Sequence, residues 1–207
     1  MYMPPFEKLQ TNNKEELLKT IRSTKQKMGR LRKKMEHPNY RDLIKKGPSD
    51  LTIYKCDRDF LKMAINKYVC LGGEYKEFKK DLKDLTFNER LNSLKRITFC
   101  YGDFISNNDK TIIDLSGEEI RVELYFLSDS VEKKTEITKE EFLRQLAELH
   151  IGEWRTHYSS DRYGVAICDG EQWKFKLEYE DGKTKTFTGF NAYPYNFEEL
   201  LELFDCV

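Results

Sequence analysis

A chain of 207 residues with 39 % apolar, 35 % charged and 13 % aromatic side chains has room for one medium domain or two small ones, and is too aromatic for a disordered segment. No run approaches the roughly 18 consecutive apolar residues of a membrane helix, and residues 1–19 lack an apolar stretch leading to a small-residue cleavage site, so a cytoplasmic location is expected. The formal net charge of +0 is unevenly spread, with 24 Lys and Arg against 13 Asp and Glu in residues 1–100 and 12 against 23 in residues 101–207.

In chain order, Pro4 and Pro5 make an irregular lead-in. Asn13 is placed to cap a helix whose first turn carries Glu15 and Glu16, where the helix dipole favours acids. Leu17, Ile21, Thr24, Met28, Leu31 and Met35 then recur at spacings of four and three, a heptad-like stripe ending near His37-Pro38. Residues 39–46 suggest a short second helix stopped by Gly47-Pro48. Ser49 or Asp50 reopens the chain, and a helix is expected over 57–68 with Phe60, Leu61, Ala64, Ile65 and Tyr68 on one face. Gly72-Gly73 breaks it, and two short helices are expected at 74–85 and 87–94.

Near residue 96 the hydrophobic period changes. Residues 97–104 and 111–115 are expected as strands, Ser116-Gly117 as a turn, and Ile120, Val122, Leu124 and Phe126 as the apolar face of another strand. Thr138 with Glu141 forms a capping box for a helix reaching His150, with Phe142, Leu143, Leu146 and Leu149 inward. Trp173, Phe175, Leu177 and Tyr179 alternate with Lys174, Lys176, Glu178 and Glu180. Asp169-Gly170 and Asp181-Gly182 flank them as turn signals, so residues 163–168, 171–180 and 183–190 are expected to form a three-stranded meander. Asn196 is expected to cap a last helix carrying Phe197, Leu200, Leu201 and Phe204. The fold class is therefore α+β: a basic helical region over 1–96, then an antiparallel sheet of hairpins with two packed helices over 97–207, including a meander–helix unit over 154–207.

The pattern carried by Trp154, Tyr158, Asp169, Gly170, Trp173, Tyr179, Asp181, Gly182, Gly189, Asn191, Ala192, Tyr193, Pro194, Asn196 and Phe197 resembles a C-terminal domain of uncharacterised proteins from low-GC Gram-positive bacteria and their mobile elements. The family implies no activity. A mobile-element setting implies, by analogy, a phage anti-defence protein of the anti-CRISPR kind.

The charge split of +11 and −11 points to an acidic or polyanionic partner for the front half, or to halves that pack together. Residues 14–46 hold twelve Lys and Arg against four acids, a density able to neutralise phosphates without reading sequence. Arg22, Lys25, Lys27, Arg30, Arg32, Lys33, Lys34 and Arg41 are the expected nucleic-acid or partner contacts. Tyr158, Tyr163, Tyr193 and Tyr195, in or beside loops, are the expected protein contacts. The 17–35 stripe offers a packing seam or a homodimer seam.

Catalytic patterns are thin. Cys56, Cys70, Cys100, Cys168 and Cys206 show no CxxC pair and are expected as buried small hydrophobes. His150 or His157 with Cys100 or Cys168 would make a Cys–His pair, and His150, His157 and Asp169 a metal site, but no nucleophile elbow, HExxH or phosphate-binding glycine loop supports either. The expectation is a non-catalytic binding or inhibitory protein with no cofactor, no metal and no membrane partner. The alternative is a small hydrolase or metal-dependent nuclease with an unfamiliar site.

Overall fold

The computed structural model describes residues 2–40, 48–76, 79–103, 109–126, 129–133, 135, 137–165, 167 and 169–207. The chain forms two compact units, Met1–Glu77 and Phe78–Val207. No helix among the described residues is long and apolar enough to cross a membrane. The architecture is α+β, with five α-helices and a seven-stranded, mostly antiparallel sheet among these residues.

The first unit is built on two antagonistic demands on α1 (Lys14–Met35), which must bury one face and keep the other in water. The Asn13 side chain accepts the Glu15 N–H at 2.9 Å and so starts the helix as its capping chemistry predicts. Leu17, Ile21, Met28 and Met35 are buried, and α1 packs on α2 (Asp50–Cys70), which buries Phe60, Leu61 and Ala64. Burying each such large side chain contributes roughly 1.5–3 kcal/mol before the chain-entropy cost. The stripe is thus consumed inside one chain, and the expected homodimer seam is an intramolecular interface. Ser49 caps α2 by accepting the Thr52 N–H at 3.0 Å. The helix starts seven residues ahead of the expected Asp57 because its first turns bury polar side chains, Tyr54, Asp57 and Arg58, which an apolar period does not reveal. The expected helix at 39–46 lies mostly outside the described residues.

In the second unit, a single helix α3 (Lys79–Glu89) and a 3₁₀ turn at Leu91–Ser93 replace the two expected short helices. Phe87 and Leu91 belong to the same core as the sheet, so the helical segment from residue 79 folds with the strands. The change of hydrophobic period at 96 marks the start of the sheet, and the units divide earlier.

The strands are β1 (Leu94–Asp103), β2 (Asp109–Asp114), β3 (Arg121–Phe126), β4 (Asp129–Lys133), β5 (His157–Ser159), β6 (Glu171–Tyr179) and β7 (Thr184–Phe190), ordered β4-β3-β2-β1-β6-β7-β5. β1 to β4 form an antiparallel meander. The β6–β7 hairpin joins it through β1, with Ile97 opposite Leu177 and Phe99 opposite Phe175. β5 pairs parallel to β7. The expected meander is corrected here: residues 160–163 form a 3₁₀ turn, and the neighbour of β6 is β1. β4 was missed because four of its five residues are exposed and it carries little apolar alternation.

Alternation sorts the sheet into two faces. Ile97, Phe99, Ile113, Val122, Trp173, Phe175, Leu177 and Phe187 are buried in a core shared with Phe142 and Leu146 of α4 (Lys139–Glu148) and Phe197, Leu200, Leu203 and Phe204 of α5 (Phe197–Asp205). Thr138 caps α4 by accepting the Glu141 N–H at 3.2 Å. Aromatic rings tie α5 down: Phe204 meets Phe99 edge-on at 5.1 Å and Phe197 meets Trp173 at 5.0 Å.

Candidate functional site

A helix turns 100° per residue, so the face of α1 opposite Leu17, Thr24, Met28 and Met35 is the one bearing Lys19, Arg22, Gln26, Arg30 and Lys33. All five are exposed. From Lys19 to Lys33 this stripe carries four cations and no acid, over about 21 Å of helix axis at 1.5 Å per residue, and the exposed Glu15 stands one turn ahead of Lys19 on the same face.

The other expected contacts on α1 have internal work. Arg32 is buried, 4 % exposed, with its Nε 2.7 Å from Glu36 Oε1. Lys34 pairs with Asp50 at the start of α2. Lys27 lies 2.8 Å from Asp57 Oδ2 and 4.3 Å from the centre of the Tyr2 ring. Burial pulls the Lys27 pKa down, but hydrogen bonds and charge from Asp57 and Tyr2 outweigh it and leave a net rise, so this ammonium stays charged. Lys25 is half-buried, 5.1 Å from the Tyr75 ring centre. Lys27 keeps 44 % of its side chain exposed but is held by these contacts, so Arg22, Arg30 and Lys33 are the exposed expected residues outside them, and Arg41 lies outside the described residues. Lys19 was missed, although its position opposite the apolar stripe was visible in the helical period.

The four tyrosines expected as protein contacts are buried or half-buried. Tyr158 and Tyr195 are buried, at 2 % and 9 % exposure. The Tyr158 hydroxyl accepts the Arg155 N–H at 3.1 Å. Tyr193 is half-buried, packs its ring at a tilt on Phe197 at 4.9 Å and donates its hydroxyl proton to Glu171. Tyr163 is half-buried as well.

The same holds for the aromatic and glycine pattern that surrounds them. Trp154 Nε1 donates to Asn196 Oδ1 at 2.9 Å, and Asn196 Nδ2 donates to the Leu149 carbonyl at 2.6 Å. Trp173 Nε1 donates to the Ala192 carbonyl at 3.0 Å. A Cβ at Gly189 would sit 2.0 Å from Trp173 Nε1, so only glycine lets that indole lie on β7. The pattern builds and pins a core. Asn196 stands at the N-cap position of α5 as expected, but its side chain makes no capping bond because both of its polar ends are used on Trp154 and Leu149.

The Cys–His pair does not assemble on the sheet. Cys100 is opposite Lys174, Lys174 opposite Thr188, and Thr188 opposite His157, which puts His157 three strands, roughly 14 Å, from Cys100. Burial pushes the Cys100 thiol pKa up, with Lys110 and Lys174 only partly offsetting it, the wrong direction for a nucleophile. Cys168 lies outside the described residues. His157 Nδ1 is 2.9 Å from Thr188 Oγ1. His150 instead faces α3, with Nδ1 2.5 Å from Asp84 Oδ2, and Glu153 lies nearby, so that one potential ligand atom from each of Asp84, His150 and Glu153 falls within 4.8 Å of the others. Neither Asp84 nor Glu153 was singled out in the sequence.

No family model matches the chain, and no curated protein and no solved structure matches it either.

Proposed function

We propose that the protein is a non-catalytic binding protein whose first unit engages nucleic acid, free or within a nucleoprotein complex, through the solvent face of α1. The observation that carries this reading is the exposed stripe of Lys19, Arg22, Arg30 and Lys33, uninterrupted by acid. Cations spaced along a rigid helix release counterions from a phosphate backbone and bind it without regard to base sequence. The second unit supplies the acidic surface: the exposed Glu140 and Glu148 of α4, and Glu198, Glu202 and Asp205 of α5, suit a basic protein partner. Together with the mobile-element resemblance of residues 154–204, this supports an inhibitor of a nucleoprotein machine, of the anti-CRISPR kind.

The test is fluorescence anisotropy of a labelled duplex titrated with the full chain at several salt concentrations. Four phosphate contacts predict a slope of log K against log salt of about −3 to −4. The variant with Lys19, Arg22, Arg30 and Lys33 all changed to Glu should abolish binding, whereas charge reversal of the exposed Lys55 and Lys62 on α2 should not. Unchanged affinity and slope in the four-site variant would refute the reading.

A further inference from the structure

We infer that Asp84, His150 and Glu153 form a binding site for one divalent first-row transition-metal ion such as zinc. Three features of the second unit, independent of the basic face of α1, converge on it.

The first is close approach. Gly152 packs directly on α3: a Cβ there would stand 2.4 Å from Asp84 Cα and 2.7 Å from the Lys83 carbonyl oxygen. That contact brings the 3₁₀ turn at Ile151–Glu153 onto the helix, with His150 and Glu153 close to Gly152 in the chain.

The second is backbone conformation. His150 follows the C-cap of α4 in the left-handed region, at φ 50 and ψ 42. Ending a helix this way calls for glycine or asparagine, because a larger side chain is disfavoured there. The chain instead places an imidazole at this position, and aims it at a buried carboxylate. The imidazole thereby reaches Asp84 Oδ2.

The third is an unsatisfied charge. Asp84 is 8 % exposed. Its Oδ2 meets His150, and its Oδ1 is buried with no hydrogen-bond partner. Lys185 is the cation that acts on Asp84 from β7; its ammonium lies 5.2 Å from the Phe87 ring centre and makes no hydrogen bond to the carboxylate. Buried carboxylate oxygens without partners are rare because their desolvation is uncompensated, and a divalent ion supplies the compensation.

One imidazole nitrogen and two carboxylate oxygens suit zinc, cobalt or manganese better than the soft ions that prefer thiolate. Ligand bonds of about 2.0–2.2 Å in a tetrahedral shell separate donor atoms by about 3.3 Å. The present separations reach that by side-chain movement on the order of an ångström, the Nδ1–Oδ2 hydrogen bond opening as the proton leaves. Three protein ligands leave a position for water.

The experiment is titration of chelator-treated full-length protein with cobalt chloride, read by visible absorption, with zinc chloride as competitor and calorimetry for stoichiometry. One equivalent should bind, giving d–d bands without thiolate charge transfer, and zinc should displace it and raise the melting temperature. His150→Gly keeps the left-handed backbone while removing the imidazole, and Glu153→Gln keeps the shape. Each should weaken binding at least tenfold and remove the zinc-dependent rise in melting temperature. No saturable binding would overturn the site. So would affinity indifferent to both substitutions, or a thiolate band lost on alkylating the cysteines.

Discussion

Asn196 is the residue whose replacement tests the architecture of the second unit most sharply. It is 3 % exposed, accepting from Trp154 Nε1 at 2.9 Å and donating to the Leu149 carbonyl at 2.6 Å. Asn196→Ala removes both bonds and leaves an indole N–H and a carbonyl buried without these partners. An unsatisfied buried group costs about 1–3 kcal/mol. The loss should therefore be about 2–4 kcal/mol, a large share of the 5–15 kcal/mol that holds a typical domain together. Both tryptophans, Trp154 and Trp173, lie in this unit, so urea unfolding followed by tryptophan fluorescence reports on it alone, and the midpoint should fall with the slope unchanged. Trp154→Phe deletes the donor, so the double variant should be less destabilised than the sum of the singles by about 1–2 kcal/mol. Asn196→Ser separates bridging from capping: serine is a good helix cap but too short to span Trp154 and Leu149. Recovery of stability by serine, or strict additivity in the double variant, would refute the bridging role.

Two further outcomes follow from the ion pairs. Arg32→Ala should cost about 3–5 kcal/mol in the first unit, because it takes the guanidinium away from the buried Glu36 carboxylate, while Lys33→Ala, on the exposed face, should stay within about 0.5 kcal/mol; circular-dichroism denaturation of both variants decides it. Hydrogen bonds from Arg144 and Gln145 hold the Glu141 carboxyl down to about 2 from an ordinary 4.5. The folded-state value is the lower one, so the stabilisation is present above about pH 4.5 and is lost as the pH falls through about 2. Carboxyl titration by NMR should show this, and Arg144→Ala should move the midpoint back toward 4.5.

Sequence by itself determined what a few neighbouring residues can settle. Asn13, Ser49 and Thr138 sit at helix starts because a side-chain oxygen can reach an N–H two or three residues on. The 17–35 stripe and the alternation through Trp173–Tyr179 report burial on one face at periods set by backbone geometry. These signals were enough for the fold class and for most helix and strand positions. What α1 does with its cations was legible only in part: the helical period separates Lys19, Arg22, Arg30 and Lys33 from the seam, but does not show that Arg32 is buried against Glu36.

Only tertiary structure decided the rest. Placing β6 beside β1 joins residues some eighty positions apart, and the burial of Tyr158, in β5, and Tyr195, which look interfacial in sequence, is set by packing within the unit. The Asp84–His150–Glu153 cluster spans 66 residues between its first two members and follows no motif. Its geometry comes from the Gly152 contact with α3, a packing event that no local propensity encodes. Long-range contacts are chosen by competition among burial, loop closure and hydrogen-bond satisfaction over the whole unit, and that competition is resolved only when the chain folds.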